Sequence, residues 1–182
     1  VMNLGQAIYA LPTDTIDLMD MVIRQNSTTT NQTDINISRI SEPTYMTIPN
    51  KLTQGRPIQV WINRQSGMTS AIATTTLSAN VTSSSTTIDV SNAVNLPAVG
   101  FVKIGTETIS YANKTATQLQ NCARAQNGTT AAAHTTGDSL YVQNLPSINV
   151  WPTPNAPGDQ YTFVYYRLRR IQDAGSGTYV QD

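Results

Sequence analysis

The chain has 182 residues, enough for one ordinary domain or two small ones, with 39% hydrophobic residues, 12% charged residues and a formal net charge of +0. This balance excludes a chain disordered throughout and gives little long-range attraction for nucleic acid. The surface must consist largely of Thr, Ser, Asn and Gln, and little self-repulsion opposes packing against copies of the same chain.

One cysteine, Cys122, excludes an intramolecular disulfide framework. One histidine, His134, is expected to be a loop residue and leaves His-dependent catalysis a single candidate. No apolar run reaches the roughly 20 residues of a transmembrane helix, and VMNLGQAIYALP lacks the basic and apolar regions of a signal peptide. The chain begins at Val1 without an initiator Met and stops at Asp182 just after a strand-like run, so a processed protein or a piece of a longer chain is expected.

Helical periodicity is nearly absent. DTIDLMDMVIRQ follows Pro12, alternates Ile16 and Leu18 with acidic residues and ends in the short apolar run MVI, which predicts a loop and then a strand through about Arg24. NSTTTNQT reads as a polar turn. DINISRIS sets Ile35, Ile37 and Ile40 against Asn36, Ser38 and Arg39, a second strand with a slip near its end. Pro43, Pro49 and the Gly55-Arg56-Pro57 turn break the next stretch, where residues 43 to 48 suit a single helical turn. IQVWIN then predicts a strand with Val60 and Ile62 on one face and Trp61 on the other.

From about Ile72 to Tyr141 Ser and Thr dominate, and alternating runs at TLSANV, TTIDV, GFVKIG, ETISYA and SLYV predict about five strands of a small β-sandwich or barrel. VWINRQ before this segment and SINVWP after it look like two arms of one hairpin about 70 residues apart, so the segment reads as a module inserted at a hairpin tip. The expected division is a mostly β core of antiparallel sheet over 1–71 and 143–182, with an inserted domain over 72–142. SINVWP, the turn TPNAPGDQ and YTFVYYRLRRI predict a further hairpin.

Chemistry is sparse. Asp14, Asp17 and Asp20 would align on a helix but diverge on a strand, so they read as solvated turn carboxylates; no metal or cofactor is expected. The Gly175-Ser176-Gly177 run lacks the following helix of a phosphate loop, and no paired acid and base stand at a persuasive spacing, so enzymatic activity is not expected. The informative feature is the last strand. Tyr161, Phe163, Tyr165, Arg167 and Arg169 would share one face, and Val164, Tyr166, Leu168 and Arg170 the other, so aromatics precede cations on both. Either the cationic end emerges to meet subunit carboxylates or solvent, or Arg167, Arg169 and Arg170 contact nucleic-acid phosphates. Tyr45, Trp61, Trp151 and Tyr165 are candidate packing or interface aromatics; Trp61 and Trp151 are also candidate platforms for sugars in an alternative, carbohydrate-binding or adhesive tail-fibre type of protein.

GQAIYALPTDTIDLMDMVIR, ISRISEPTYMTIPNKLTQGRPIQVWINRQ and INVWPTPNAPGDQYTFVYYRLRRIQDAG, in that order over the first 65 and last 38 residues, resemble the head-to-tail adaptor proteins of short-tailed bacteriophages, related in architecture to tail tubular protein A. The resemblance implies a virion structural protein of the tail and neck region: a subunit of a ring, commonly dodecameric, that sits beneath the portal protein, receives the tail nozzle protein and continues the channel for packaged DNA. The helices that flank the β part in that family are not expected in this chain. The segment ETISY…CARAQNGTTAAAH resembles small β modules of tail and virion proteins, which implies an outward-projecting insert able to contact tail fibres, the nozzle or a neighbouring subunit.

Overall fold

The structure, a computed structural model, describes residues 1–26, 29–65, 70, 72–156 and 160–170. The Gly175-Ser176-Gly177 run and the strand-like run before Asp182 lie outside the described residues. Strand takes up 47% of the described residues and helix 3%, which decides the class as mostly β.

The first part of the chain supplies β1 (Ile8–Ala10), β2 (Thr15–Gln25), β3 (Thr33–Asn36), β4 (Ser38–Arg39), the short α1 (Glu42–Met46), β5 (Gln54–Gly55) and β6 (Gln59–Asn63). Alternation in IQVWIN has the expected result: Val60 and Ile62 enter one buried cluster with Leu18, Ile23, Ile148 and Val150, while Trp61 enters another with Ala7, Ile8, Tyr45 and Leu145. The sheet that contains β6 is therefore apolar on both faces. Pro near the start of α1 suits a position that needs no N–H, the hydroxyl of Ser41 accepts from the Thr44 N–H at 3.3 Å, and the turn places Tyr45 against Trp61 with ring centroids 5.4 Å apart.

The slip in DINISRIS has a clear cause. β3 pairs with β2 through Asn36, the buried Ile37 turns into the core, and β4 then pairs with β6 in parallel, Ser38 against Gln59. One run of sequence serves two sheets.

The middle of the chain supplies β7 (Thr75–Thr76), β8 (Ile88–Asp89), β9 (Gly100–Ile104), β10 (Glu107–Tyr111), β11 (Asn113–Lys114), β12 (Gln118–Gln120), β13 (Ala123–Gln126) and β14 (Ser139–Gln143). A five-stranded sheet ordered β13-β10-β9-β14-β7 and a three-stranded sheet ordered β11-β12-β8 contribute Val102, Ile104, Ile109 and Leu140 from one side and Ile88 and Leu119 from the other to one buried cluster. All buried members of that cluster lie between Leu77 and Leu140.

The chain then returns through β15 (Ser147–Trp151), β16 (Thr153–Pro154) and β17 (Tyr161–Arg169). β15 lies antiparallel to β6 with Val150 opposite Val60, Ile148 opposite Ile62 and Ser147 opposite Asn63. The sheet order is β1-β15-β6-β4.

Two expectations are corrected here. β15 and β17 do not form a hairpin, because β15 is flanked by β1 and β6 whereas β17 belongs to a separate sheet ordered β17-β2-β3. Between them the Thr153 N–H is committed to the Thr53 carbonyl at 2.9 Å and β16 pairs in parallel with β5, which carries the chain away from β15 before β17 begins. The loop expected at the start of DTIDLMDMVIRQ is instead strand from Thr15 onward. The strand is irregular in two places: β2 offers Met19 and Asp20 where β17 offers Tyr166, and an extra Ile16 between the Leu168–Asp17 and Arg169–Thr15 pairs.

A third buried cluster joins Val99, Phe101 and Ala112 to Ala7, Ile8, Tyr45, Trp61 and Leu145. Replacing residues 72–142 by a short Gly-containing linker should accordingly leave β6 and β15 paired and a single cooperative urea transition, at a lower midpoint because Trp61 and Ile8 lose their cover. A remainder without a cooperative transition by circular dichroism would refute the inserted-module reading.

Candidate functional site

The end of the β2–β17 ribbon holds the predicted arginines, and it divides them. The Arg167 guanidinium donates to the carboxylate of Asp14, just before β2, and to the hydroxyl of Thr15, its first residue, at 3.3 Å. The hydrogen bond from Arg167, reinforced by the positive charges of Arg167 and Arg169, holds the Asp14 carboxyl below its ordinary value. Arg170 is anchored only by its backbone, whose N–H donates to the Asp14 carbonyl at 2.8 Å. The side chains of Arg169 and Arg170 are exposed and form no hydrogen bond or ion pair with a described residue. Arg167 is thus a clamp within the chain, whereas among the described residues nothing pairs with the side chains of Arg169 and Arg170.

The aromatic half of β17 behaves as expected. Tyr161 is buried, and Phe163 and Tyr165, with centroids 5.4 Å apart, pack against the cluster that contains Val60 and Ile148. Farther along, Tyr166 (72% exposed) and Leu168 (51%) lie on an edge strand, opposite the β2 stretch that exposes Met19 (63%) and Ile16 (41%). The exposed carboxylate of Asp20 borders this apolar surface within β2. A long edge strand with large exposed apolar residues is unusual for a surface that remains in water.

The other predicted aromatics are internal. Trp61 is buried, Tyr45 is fully buried, and half-buried Trp151 donates its indole N–H to the Asn50 carbonyl at 3.0 Å. The rings of Trp61 and Tyr45 are closed to a sugar, whereas part of Trp151 remains at the surface. The Lys51 ammonium closes the turn after α1, 5.8 Å from the Tyr45 ring centre and 3.1 Å from the carbonyls of both Met46 and Ile48.

Asp17 and Asp20 lie on β2 and Asp14 just before it, and two of the three are not merely solvated. Asp14 meets Arg167, and Asp17 meets Arg39 at 3.0 Å and Arg64 at 2.6 Å. Partial burial pushes the Asp17 carboxyl up, but the Leu18 N–H and the arginines outweigh it and the net shift is downward. Among the described residues no group of His, Cys, Asp and Glu could hold a metal ion.

The constellation that sequence reasoning missed lies in the middle segment. Glu107 shares the core-facing side of β10 with Ile109 and Tyr111, and its carboxylate is fully buried. It accepts from Arg124 Nε at 2.9 Å and Nη2 at 2.7 Å, from the N–H groups of Ala125 and Ala132 at 3.1 Å each, and from His134 Nε2 at 2.8 Å. Arg124 also donates to the carbonyls of Thr82 and Ala132. An ionised carboxylate only accepts, so Nε2 of His134 carries the proton in this arrangement.

His134 is therefore not a plain loop residue. It is buried, and its backbone exchanges both hydrogen bonds with Val81 at 2.9 Å. Burial pushes the Glu107 carboxyl up, but the bonds from Arg124, Ala132, His134 and Ala125 together exceed that effect and hold it at about 2. A carboxylate this weakly basic, with its lone pairs occupied, is unsuited to take a proton from a substrate. Burial also pushes the Cys122 thiol up to about 12, which suppresses thiolate at neutral pH. Glu107, Arg124, Ala125, Ala132 and His134 all stand in ETISY…CARAQNGTTAAAH; the available signal was a Glu, an Arg and a His in a run otherwise nearly free of charge.

Comparison with family models, with curated proteins and with solved structures returned no match to this chain.

Proposed function

We propose that the chain is a structural subunit that assembles with copies of itself into a ring, of the short-tailed-phage head-to-tail adaptor kind: beneath a portal protein, above a tail nozzle, and around packaged DNA. The observation that carries this reading is the exposed end of the β2–β17 ribbon, where Ile16, Met19, Tyr166 and Leu168 are exposed apolar residues beside exposed Asp20 and beside Arg169 and Arg170, whose side chains form no hydrogen bond or ion pair with a described residue. A covering subunit would remove the apolar area from water and offer counter-charges at its rim. Repetition about an axis would also convert a few cations on a neutral chain into a positive ring, the condition under which Arg169 and Arg170 could line a DNA channel. In this reading the middle segment faces outward, available to tail fibres or nozzle, and the site of action is the virion neck.

The test is assembly. Light scattering after size exclusion and a cryo-EM reconstruction should give a closed ring with an axial channel, expected to be dodecameric, and Tyr166→Glu with Leu168→Asp should reduce it to a monomer that still unfolds cooperatively. A monomer from the unmodified chain would sink the proposal. Arg169→Ala with Arg170→Ala should leave assembly intact and lower retention of packaged DNA.

A further inference from the structure

The second structural peculiarity lies away from the ribbon, in the cleft between the segment before β1 and the β13 edge of the five-stranded sheet. The cleft has a volume of about 400 Å³, within the range of small-ligand sites. Its floor is a directed chain of carboxamides. Asn3 Nδ2 donates to Gln6 Oε1 at 2.9 Å, Gln6 Nε2 to Gln126 Oε1 at 2.9 Å, and Gln126 Nε2 to the Arg124 carbonyl at 2.9 Å. Gln6 is 8% exposed and its amide is further fixed by the Ile8 carbonyl at 2.6 Å, so the carboxamides on either side of it are held in set orientations.

The wall opposite is held in uncommon backbone. Asn121 and Ala125 have φ of +50 and +54, and β13 leaves its register with β10 between the Thr108–Gln126 and Ser110–Ala123 pairs. Ala125 has no side chain to compensate for that conformation; its N–H is fixed by Glu107 Oε1. The buried network thus holds the cleft wall in shape, and strained residues held by their surroundings collect at ligand sites.

The chemistry of the lining selects a class of ligand. The one charged residue among the described residues of the lining, Arg124, is neutralised by Glu107, so these residues offer neutral donors and acceptors. The Asn121 carboxamide and the Thr86 hydroxyl line the cleft and have no partner among the described residues. Backbone pairing with an extended peptide is disfavoured, because the Cys122 N–H already donates to the Thr86 carbonyl, the Ala125 N–H to Glu107, and the Arg124 carbonyl accepts from Gln126. Leu4, 56% exposed, provides an apolar rim.

We infer that this cleft is a binding site for a neutral saccharide, one pyranose ring held by the carboxamides and the Thr86 hydroxyl with Leu4 against its C–H face. Neighbouring sugar hydroxyls are paired donors and acceptors, which a carboxamide matches with its own N–H and C=O. The inference is independent of ring assembly, although a ring would multiply a weak single-site affinity through multivalency.

Saturation-transfer difference NMR, applicable to monomer and ring alike, tests it with glucose, galactose, N-acetylglucosamine, N-acetylgalactosamine and their short oligomers. At least one should receive saturation, and Asn121→Gly, which keeps the positive φ while deleting the carboxamide, should weaken its binding at least tenfold, as should Thr86→Val, with the thermal midpoint unchanged. No saturation across the panel, or saturation that survives both substitutions, overturns the inference; so does competition-free occupancy of the cleft by an extended peptide.

Discussion

Glu107→Ala is expected to leave residues 72–142 without a stable fold. The substitution strands the buried guanidinium of Arg124 and frees the N–H groups of Ala125 and Ala132 and the Nε2 of His134. Removing one partner of a buried ion pair costs about 3–5 kcal/mol, a large share of the 5–15 kcal/mol by which whole domains are stable. Glu107→Gln keeps the shape but replaces one acceptor by a donor facing other donors, so it should also destabilise, by less.

The same group makes stability depend on acid. Its carboxyl sits at about 2 in the folded chain against an ordinary 4.5, a folded value below the unfolded one. The stabilisation is therefore complete above pH 4.5 and is lost as pH falls from there toward 2, on the order of 3 kcal/mol in all. Both tryptophans, Trp61 and Trp151, lie outside residues 72–142, so their fluorescence follows the remainder while circular dichroism follows the whole. Urea midpoints recorded from neutral pH down to pH 3 should fall more steeply for the unmodified chain than for Glu107→Gln, in which the lowered carboxyls of Asp14 and Asp17 still contribute. Parallel pH curves for the two would reject the argument.

The second large effect is expected of Trp61→Ala. Trp61 is the contact at which β6, Tyr45 and Phe101 meet, and deletion of a buried Trp side chain costs about 3–5 kcal/mol. The low end of that range is expected, because the carboxamide of Asn149, directly across the strand pair, and the Tyr45 hydroxyl are buried without hydrogen-bond partners among the described residues and would be hydrated through the opening. Trp151→Ala should cost less, since Trp151 is only half-buried and loses one hydrogen bond to Asn50. Urea denaturation followed by circular dichroism ranks the two; equal costs, or a Trp61→Ala cost under about 1 kcal/mol, would mean that this cluster does not join the two parts of the chain. Neither substitution should alter saccharide binding at the Asn121 cleft.

Legibility of the sequence stopped at a definite level. The faces of β6 could be read because strand side chains alternate strictly, so the order Val60, Trp61, Ile62 already assigns two apolar surfaces. The match of VWINRQ to SINVWP across the long segment was visible because opposed strands sharing two buried faces carry similar apolar patterns. The β17 partner was not visible. Successive strands pair often, which favoured a hairpin with β15, yet the decisive facts were the prior commitment of β15 to β1 and of Thr153 to Thr53. Arg167 illustrates the same limit: its pairing with Asp14 spans 153 positions and depends on the irregular register of β2 against β17.

By itself, the sequence determined the mostly β class, the positions of most strands, the inward faces of β6 and of the first half of β17, and the scarcity of titratable chemistry, because these follow from local alternation and composition. Which strands are neighbours, which arginines remain unpaired, and the gathering of Glu107, Arg124 and His134 around one buried carboxylate were decided only by the tertiary structure. Pairing and burial are settled by contacts between residues far apart in the chain, and a local pattern of side chains carries no information about which distant partner will satisfy them.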